Sequence, residues 1–96
     1  MKIIIAGAGE VGFHLAKLLS YESLDITLID IDRDRLNYAE GHLDIKTLRG
    51  NASSLALLKE SDVSESELFI AVTGSESVNV TVSILAKQLG SKKNNR

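Results

Sequence analysis

The feature that most constrains this chain is a pattern of three glycines at residues 7–12, which read GAGEVG. The pattern directly follows residues 2–6, a short β-branched and apolar run typical of a strand buried on both faces. It also opens a segment, from Glu10 to about Tyr21, in which apolar residues recur at helical spacing. The sequence therefore predicts a strand, a glycine turn and a helix that follow one another without a gap.

The same order of strand, turn and helix recurs three more times. Strands two to four are predicted at residues 25–30, 45–48 and 68–72. The second helix is expected to begin after a cap at Asp32 and to stop at Gly41. The third is expected to begin after a cap at Ser53 or Ser54.

Four strands that alternate with four helices predict successive βαβ units, whose right-handed crossovers give a parallel sheet with helices on both faces. The expected fold class is α/β with a Rossmann-like strand order 3-2-1-4. A full fold of this type continues to strands five and six, so the chain is expected to be truncated before them and to leave strand four as an open edge. Residues 1–90 form the predicted domain, and residues 91–96 a polar, frayed tail.

Composition excludes several classes of function. Hydrophobic residues make up 44% and charged residues 25% of the chain, which fits a globular protein and argues against disorder. The strongly apolar run at residues 3–6 is far too short to span a bilayer, and there is no secretory signal pattern, so we expect a cytosolic protein. The absence of cysteine excludes disulfides, thiolate metal sites and a cysteine nucleophile. The net charge of −2 gives no general attraction to nucleic acids or anionic membranes.

Each glycine of the turn has a separate predicted task. Gly7 permits the tight turn, Gly9 lets the backbone approach a pyrophosphate, and Gly12 lets the helix pack closely on the strand. The N–H groups near Glu10 and Val11 would then face the anion, helped by the positive end of the helix dipole. The turn is thus predicted to hold the phosphates of NAD or a related adenine nucleotide, with a purely structural βα turn as the alternative.

A carboxylate at the end of strand two is the second feature that dinucleotide binding requires, because it accepts hydrogen bonds from ribose hydroxyls. Asp30 occupies that position. A carboxylate there repels the 2′-phosphate of NADP and favours NAD or another adenosine nucleotide with both hydroxyls free. Arg33 and Arg35 keep the NADP alternative open, and Asp30 could also serve only as a strand cap.

Two further strand ends are predicted at the same edge of the sheet, where ligands of open α/β sheets bind. Asn51 and Ala52 follow strand three and would border the adenine, whereas Thr73 and Gly74 follow strand four and would lie nearer the phosphates or the second ribose. The alternative for Asn51 is a turn. The alternative for Thr73 is a capping box with Glu76 that starts a helix ending at Gly90.

Nothing in the sequence supplies chemistry beside this nucleotide. His14 and His42 are interpreted as helix-face and helix-end residues, and Ser53 and Ser54 as caps, since no nearby His and Asp arrangement would activate them. The histidines and carboxylates form no recognisable metal motif. We therefore expect a nucleotide-binding module and no enzyme. The alternatives are the first half of an NAD-dependent oxidoreductase and a dimerisation unit that binds nothing.

The sequence resembles the amino-terminal nucleotide-binding domain of TrkA-type potassium-uptake regulators, also called the KTN or RCK domain. The resemblance rests on residues 2–12, 29–33, 48–53 and 71–79 and covers nearly the whole chain. It implies a cytoplasmic regulatory subunit, at the inner face of the membrane through a potassium transporter or channel subunit, that binds NAD(H), or ATP/ADP, and changes shape to gate ion flow. The open edge of strand four predicts a dimer or higher oligomer, and charge and composition predict no nucleic acid partner and no direct insertion into the membrane.

Taken with the resemblance, the motifs assign fourteen residues to the cofactor site. They are Gly7, Ala8, Gly9, Glu10, Val11, Gly12, Asp30, Ile31, Asp32, Arg33, Asn51, Ala52, Thr73 and Gly74. Glu76 and Asn79 carry a weaker assignment as contacts. Domains of the family run on through two more strands, which are not predicted in this sequence.

Overall fold

A single parallel sheet runs through the computed structural model, which describes residues 1–95. Its strands are β1 (Lys2–Ala6), β2 (Asp25–Asp30), β3 (Lys46–Arg49), β4 (Leu68–Ala71) and β5 (Asn94–Asn95). They lie in the order β3-β2-β1-β4-β5, and every pair is parallel. The α/β class and the predicted order of the first four strands are confirmed, and a fifth strand is added.

Four helices cover the sheet: α1 (Glu10–Ser20), α2 (Arg33–His42), α3 (Leu55–Glu60) and α4 (Glu76–Gln88). A 3₁₀ turn, Val63–Glu65, lies between α3 and β4 and was not anticipated from the sequence. Because successive side chains of a strand point to opposite faces, Ile3 and Ile5 pack with α1 and α2, whereas Ile4 and Ala6 pack with α3 and α4. The central strand is thus buried on both faces, as its continuous apolar run predicts.

The carboxyl-terminal segment is ordered into the sheet, so the predicted frayed tail was wrong for the residues described. Asn94 and Asn95 pair with β4, and the N–H of Phe69 donates to the carbonyl oxygen of Lys93 at 2.8 Å. Parallel pairing uses backbone groups, so a polar segment can form a strand without apolar periodicity. Strand four therefore has a partner and is not the open edge that was expected; Arg96 lies outside the described residues.

Two helix boundaries differ from the sequence prediction. Helix α2 continues through Gly41, and its last turn closes where the N–H of Leu43 donates to the carbonyl oxygen of Ala39 at 2.8 Å. Gly41 is simply tolerated inside the helix, where glycine costs stability without ending the element. Helix α4 is capped by Ser75, whose hydroxyl accepts from the N–H of Val78 at 3.3 Å, so the proposed capping box was wrong.

Candidate functional site

The carboxyl ends of β1, β2, β3 and β4 surround a cleft of about 670 Å³. Ten of the fourteen predicted residues line it: Gly7, Gly9, Glu10, Val11, Asp30, Ile31, Asn51, Ala52, Thr73 and Gly74. The other four, Ala8, Gly12, Asp32 and Arg33, are not among its lining residues. The structure therefore brings the four strand ends together at one edge, as parallel topology requires.

Two glycines of the turn are required by the fold itself. Gly7 has φ of +117°, and a Cβ there would lie 2.7 Å from the carbonyl oxygen of Val72. A Cβ on Gly12 would overlap the carbonyl oxygen of Gly7. A side chain at Gly12 would therefore push helix α1 away from the turn, whereas a side chain at Gly7 would push the turn away from the backbone that follows β4.

Gly9 differs from its neighbours because the fold does not require it. Its φ of −71° suits any residue, and a Cβ there would meet only Nη1 of Arg35, at an ordinary contact distance of 3.7 Å. Gly9 lines the cleft, so the space that its missing side chain leaves is open to that side. A ligand that approaches the backbone closely would account for a glycine at this position.

Helix α1 begins at the cleft without a side-chain cap. Among the residues described, Asp32, Ser54 and Ser75 cap α2, α3 and α4 with hydrogen bonds to first-turn N–H groups. The residue at the same position of α1 is Gly9, which has no side chain to do so. The first turn of α1 therefore keeps backbone N–H groups and the positive end of its dipole for an anion in the cleft.

Asp30 joins the glycine turn to the start of α2. Its Oδ2 accepts from the N–H of Ala8 at 2.7 Å, and its Oδ1 accepts from the N–H of Asp32 at 2.8 Å. Only 9% of its side chain is exposed. The structure thus shows a local structural role for this carboxylate. Each oxygen still has a lone pair for a hydroxyl donor, so a role in ribose binding is compatible with the same geometry.

Arg35, and not Arg33, is the arginine at the cleft. Its Nη1 lies 3.9 Å from Oδ2 of Asp30, and its Nε lies 3.7 Å from Oδ2 of Asp32. Both distances exceed that of a hydrogen bond, so the guanidinium is held by charge alone and its side chain stays 56% exposed. The helical position three residues after the cap was the sequence signal that could have separated Arg35 from Arg33.

Two apolar side chains face the cleft while remaining exposed. Val11 is 59% and Ile31 is 67% exposed, although both are large hydrophobic residues. Exposed apolar groups that line a cleft with polar neighbours are typical of ligand sites. Ile31 directly follows Asp30 and lines the same cleft.

The ends of β3 and β4 carry the remaining predicted residues. Asn51 accepts a hydrogen bond from the N–H of Ser53 at 2.8 Å, which is the turn geometry considered as its alternative role. Ala52 is 9% exposed and belongs mainly to the core. Thr73 is held by Asn79, whose amide bonds its backbone N–H at 2.9 Å and its carbonyl oxygen at 3.2 Å. Asn79 is buried and is not among the cleft-lining residues.

Other kinds of site are not evident in the part of the chain described. Within residues 1–95, no three His, Asp or Glu side chains come together in a way that could hold a metal ion. No helix in this range is both long and apolar enough to cross a membrane.

The strand order and the glycine turn define a Rossmann-type α/β domain. The TrkA-N domain model matches residues 3–95, and the chain therefore belongs to the TrkA-N family. The predicted resemblance is confirmed over nearly the whole chain.

Relatives with potassium-uptake names match at moderate identity. A Trk system potassium uptake protein TrkA homolog from Archaeoglobus fulgidus is 39% identical over 92 residues, which cover 96% of this chain and 21% of that protein. The Trk system potassium uptake protein TrkA from Halomonas elongata is 42% identical over 89 residues, 93% of this chain and 20% of that protein. The chain thus spans about a fifth of the length of these relatives.

Solved structures share the fold at low sequence identity. One described as Shewanella denitrificans Kef CTD in AMP bound form superposes with a TM-score of 0.81 at 20% identity, covering 99% of this chain and 57% of the other. ChuY, an anaerobillin reductase from Escherichia coli O157:H7, superposes with a TM-score of 0.76 at 17% identity, covering 98% of this chain and 48% of the other. One neighbour is named for a bound nucleotide and the other for an enzyme activity, so at this identity the likeness establishes the fold alone.

Proposed function

We propose that this chain is the nucleotide-sensing domain of a potassium-uptake system, with NAD or NADH as its ligand and ATP or ADP as the alternative. The observation that carries the proposal is the uncapped start of α1 at Gly9, where the fold leaves open space on the cleft side. The family and the names of the relatives supply the link to potassium uptake. The domain would act in the cytoplasm, bound to a membrane-spanning transporter subunit.

The residues of the cleft fit the parts of a dinucleotide. The pyrophosphate would lie against Gly9 and the first turn of α1, which supply N–H donors and a positive dipole end. The adenosine ribose would reach Asp30, with Ile31 beside the adenine. The second half would extend across the turn toward Thr73. The AMP named for the Kef structure would occupy only the first of these two halves.

Glu10 supports NAD over ATP as the ligand. It is exposed, lies in the first turn of α1 and lines the cleft next to the proposed phosphate position. A carboxylate there adds repulsion with every further phosphate charge, so it disfavours a triphosphate more than the diester pyrophosphate of NAD.

Sensing would operate through differential binding. A nucleotide shifts the domain between conformations only by the difference in its affinity for them. In the full-length protein, contacts with a second copy and with the transporter subunit would convert that shift into a change in potassium flux. The alternative, an oxidoreductase half-domain, has the enzyme neighbour's fold in its favour. The carboxylates that line the cleft, Glu10 and Asp30, lie at the proposed pyrophosphate and adenosine ribose positions and not where a nicotinamide would react.

The experiment is calorimetric titration of the chain with NADH, NAD, ATP, ADP and NADPH. We expect binding of NADH or NAD, and a loss of about tenfold or more in Gly9→Ala, because the added methyl group occupies the space for the pyrophosphate. Gly9→Ala should keep its thermal stability, since the fold accepts a Cβ there. Gly41→Ala is the matched control, because it fills open space on α2 away from the cleft.

Each outcome of the titration has one meaning. If none of the adenine nucleotides gives a heat of binding with the unaltered chain, nucleotide binding is contradicted. Equal affinity in Gly9→Ala and the unaltered chain removes the glycine turn from the site even if a nucleotide binds. Tighter binding of ATP than of NADH replaces the first ligand with its alternative.

A further inference from the structure

A single amide side chain, that of Asn79, holds both backbone polar groups of Thr73, the second residue after β4. The N–H of Thr73 donates to Oδ1 of Asn79 at 2.9 Å, and Nδ2 of Asn79 donates to the carbonyl oxygen of Thr73 at 3.2 Å. The hydroxyl of Thr73 lies 2.6 Å from the same Oδ1. Asn79 is 6% exposed, so these bonds form in a setting where unpaired polar groups are costly.

These two hydrogen bonds between Asn79 and the backbone of Thr73, called the clasp below, replace backbone pairing that the sheet no longer provides. Strand β4 ends at Ala71, and the N–H of Val72 still donates to the carbonyl oxygen of Ala6 at 2.9 Å. Beyond Val72 the chain turns toward α4, and the amide of Asn79 takes over the backbone of Thr73. An apolar residue would fill a core-facing position of α4 equally well, so packing alone does not account for an asparagine.

The segment held by the clasp faces the cleft across from Asp30. Strands β2 and β4 flank β1, so Asp30 and Thr73 lie on opposite sides of the glycine turn, roughly two strand spacings or 10 Å apart. The turn touches this segment, since a Cβ on Gly7 would lie 2.9 Å from the backbone nitrogen of Thr73. A dinucleotide centred on the turn therefore reaches Thr73 with its second half, whereas a mononucleotide on the Asp30 side does not.

We propose that Asn79 is a positioning residue that fixes the segment Thr73–Ser75 for the half of a dinucleotide beyond the pyrophosphate. The inference rests on the proposed nucleotide-binding function and refines it. Asn79 itself touches no ligand; it acts through the backbone of Thr73. Its loss weakens binding of a dinucleotide and leaves binding of AMP nearly unchanged, a selectivity that a general loss of stability does not produce.

The test compares NADH and AMP affinities in Asn79→Asp, Asn79→Ala and the control Thr81→Val. Asn79→Asp keeps an oxygen for the N–H of Thr73 but places a second oxygen against its carbonyl group. Thr81→Val removes a side-chain bond of similar kind on the same helix, from the Thr81 hydroxyl to the carbonyl oxygen of Ser77 at 2.9 Å, on the exposed side. We expect NADH affinity to fall about tenfold, or about 1.4 kcal/mol, in both Asn79 variants. AMP affinity should change less than about twofold, and Thr81→Val should change neither.

Amide hydrogen exchange at Thr73 provides the second readout. In Asn79→Ala the Thr73 amide should exchange faster while the amides of β1 stay protected, which shows local release without unfolding. If Asn79→Ala does not fold, Asn79→Asp carries the comparison.

Three results would overturn the inference. Equal weakening of NADH and AMP assigns Asn79 to the fold in general, and unchanged NADH affinity with a released Thr73 amide shows that the segment does not contact the second half. An unaltered chain that binds neither nucleotide overturns the proposed function itself, which the titration of that chain distinguishes from the other two results.

Discussion

At the scale of single residues, the three glycines of one motif have different physical causes. Gly7 and Gly12 are fixed by contacts inside the protein, since a side chain at either would collide with backbone atoms. Gly9 has no such contact. The motif predicted a separate task for each glycine, and the structure adds the contacts that require glycine at residues 7 and 12 and leaves Gly9 as the position that a ligand would explain.

Arg35 and Arg33 permit a charge test of nucleotide preference. Arg35 lies beside Asp30 at the cleft, whereas Arg33 is exposed and does not line it. We expect Arg35→Ala to lower the NADPH to NADH affinity ratio about fivefold, because it removes a partly exposed positive charge worth about 1 kcal/mol next to the ribose position. Titration of both nucleotides measures the ratio. Arg33→Ala is the control, and an equal change in both variants would remove Arg35 from ligand discrimination.

At the scale of elements, the sequence predicted the strands that a hydrophobic pattern marks and missed the strand that forms through backbone pairing of polar residues. The four apolar strands were predicted with ends within one residue, and their order was predicted from the Rossmann pattern. Strand β5 was missed because Asn94 and Asn95 have no apolar period. The cleft was predicted because ligands of such sheets bind at strand ends. The hydrogen bonds of Asn79 to Thr73 were not predicted, because they depend on how α4 turns back on β4.

Because α2 continues through Gly41, the direction in which Gly41→Ala changes the free energy of unfolding can be predicted. We expect Gly41→Ala to raise the free energy of unfolding by about 0.5–1 kcal/mol, because alanine favours a helix interior and no atom lies within 4 Å of its Cβ. Chemical denaturation measures the change. Gly90→Ala provides the contrast: Gly90 has φ of +110° after α4, so alanine there should destabilise by about 1–2 kcal/mol. A loss of stability in Gly41→Ala would show that the helix ends there in solution.

At the scale of the whole molecule, the sheet separates the cleft from the edge that β5 covers. The cleft lies at the carboxyl ends of β1 to β4, and none of residues 91–95 lines it. β5 instead lies against β4 and α4, where the amide of Asn94 donates to the carbonyl oxygen of Ser83. Nucleotide binding and closure of the sheet edge are therefore separable properties of one fold, although sequence reasoning linked the uncovered edge to oligomerisation.

That separation predicts the behaviour of a chain ended after Ser91. It loses the hydrogen bond from Phe69 to Lys93 and the ion pair of Lys92 with Glu67 at 3.2 Å, so we expect a loss of about 1–3 kcal/mol in the free energy of unfolding. The exposed edge of β4 should also promote self-association that grows with concentration, which sedimentation velocity measures. NADH affinity should stay unchanged, because the cleft is intact. A shortened chain that is equally stable and monomeric would show that β5 does not close the edge in solution, and a parallel loss of NADH affinity would show that edge and cleft are coupled.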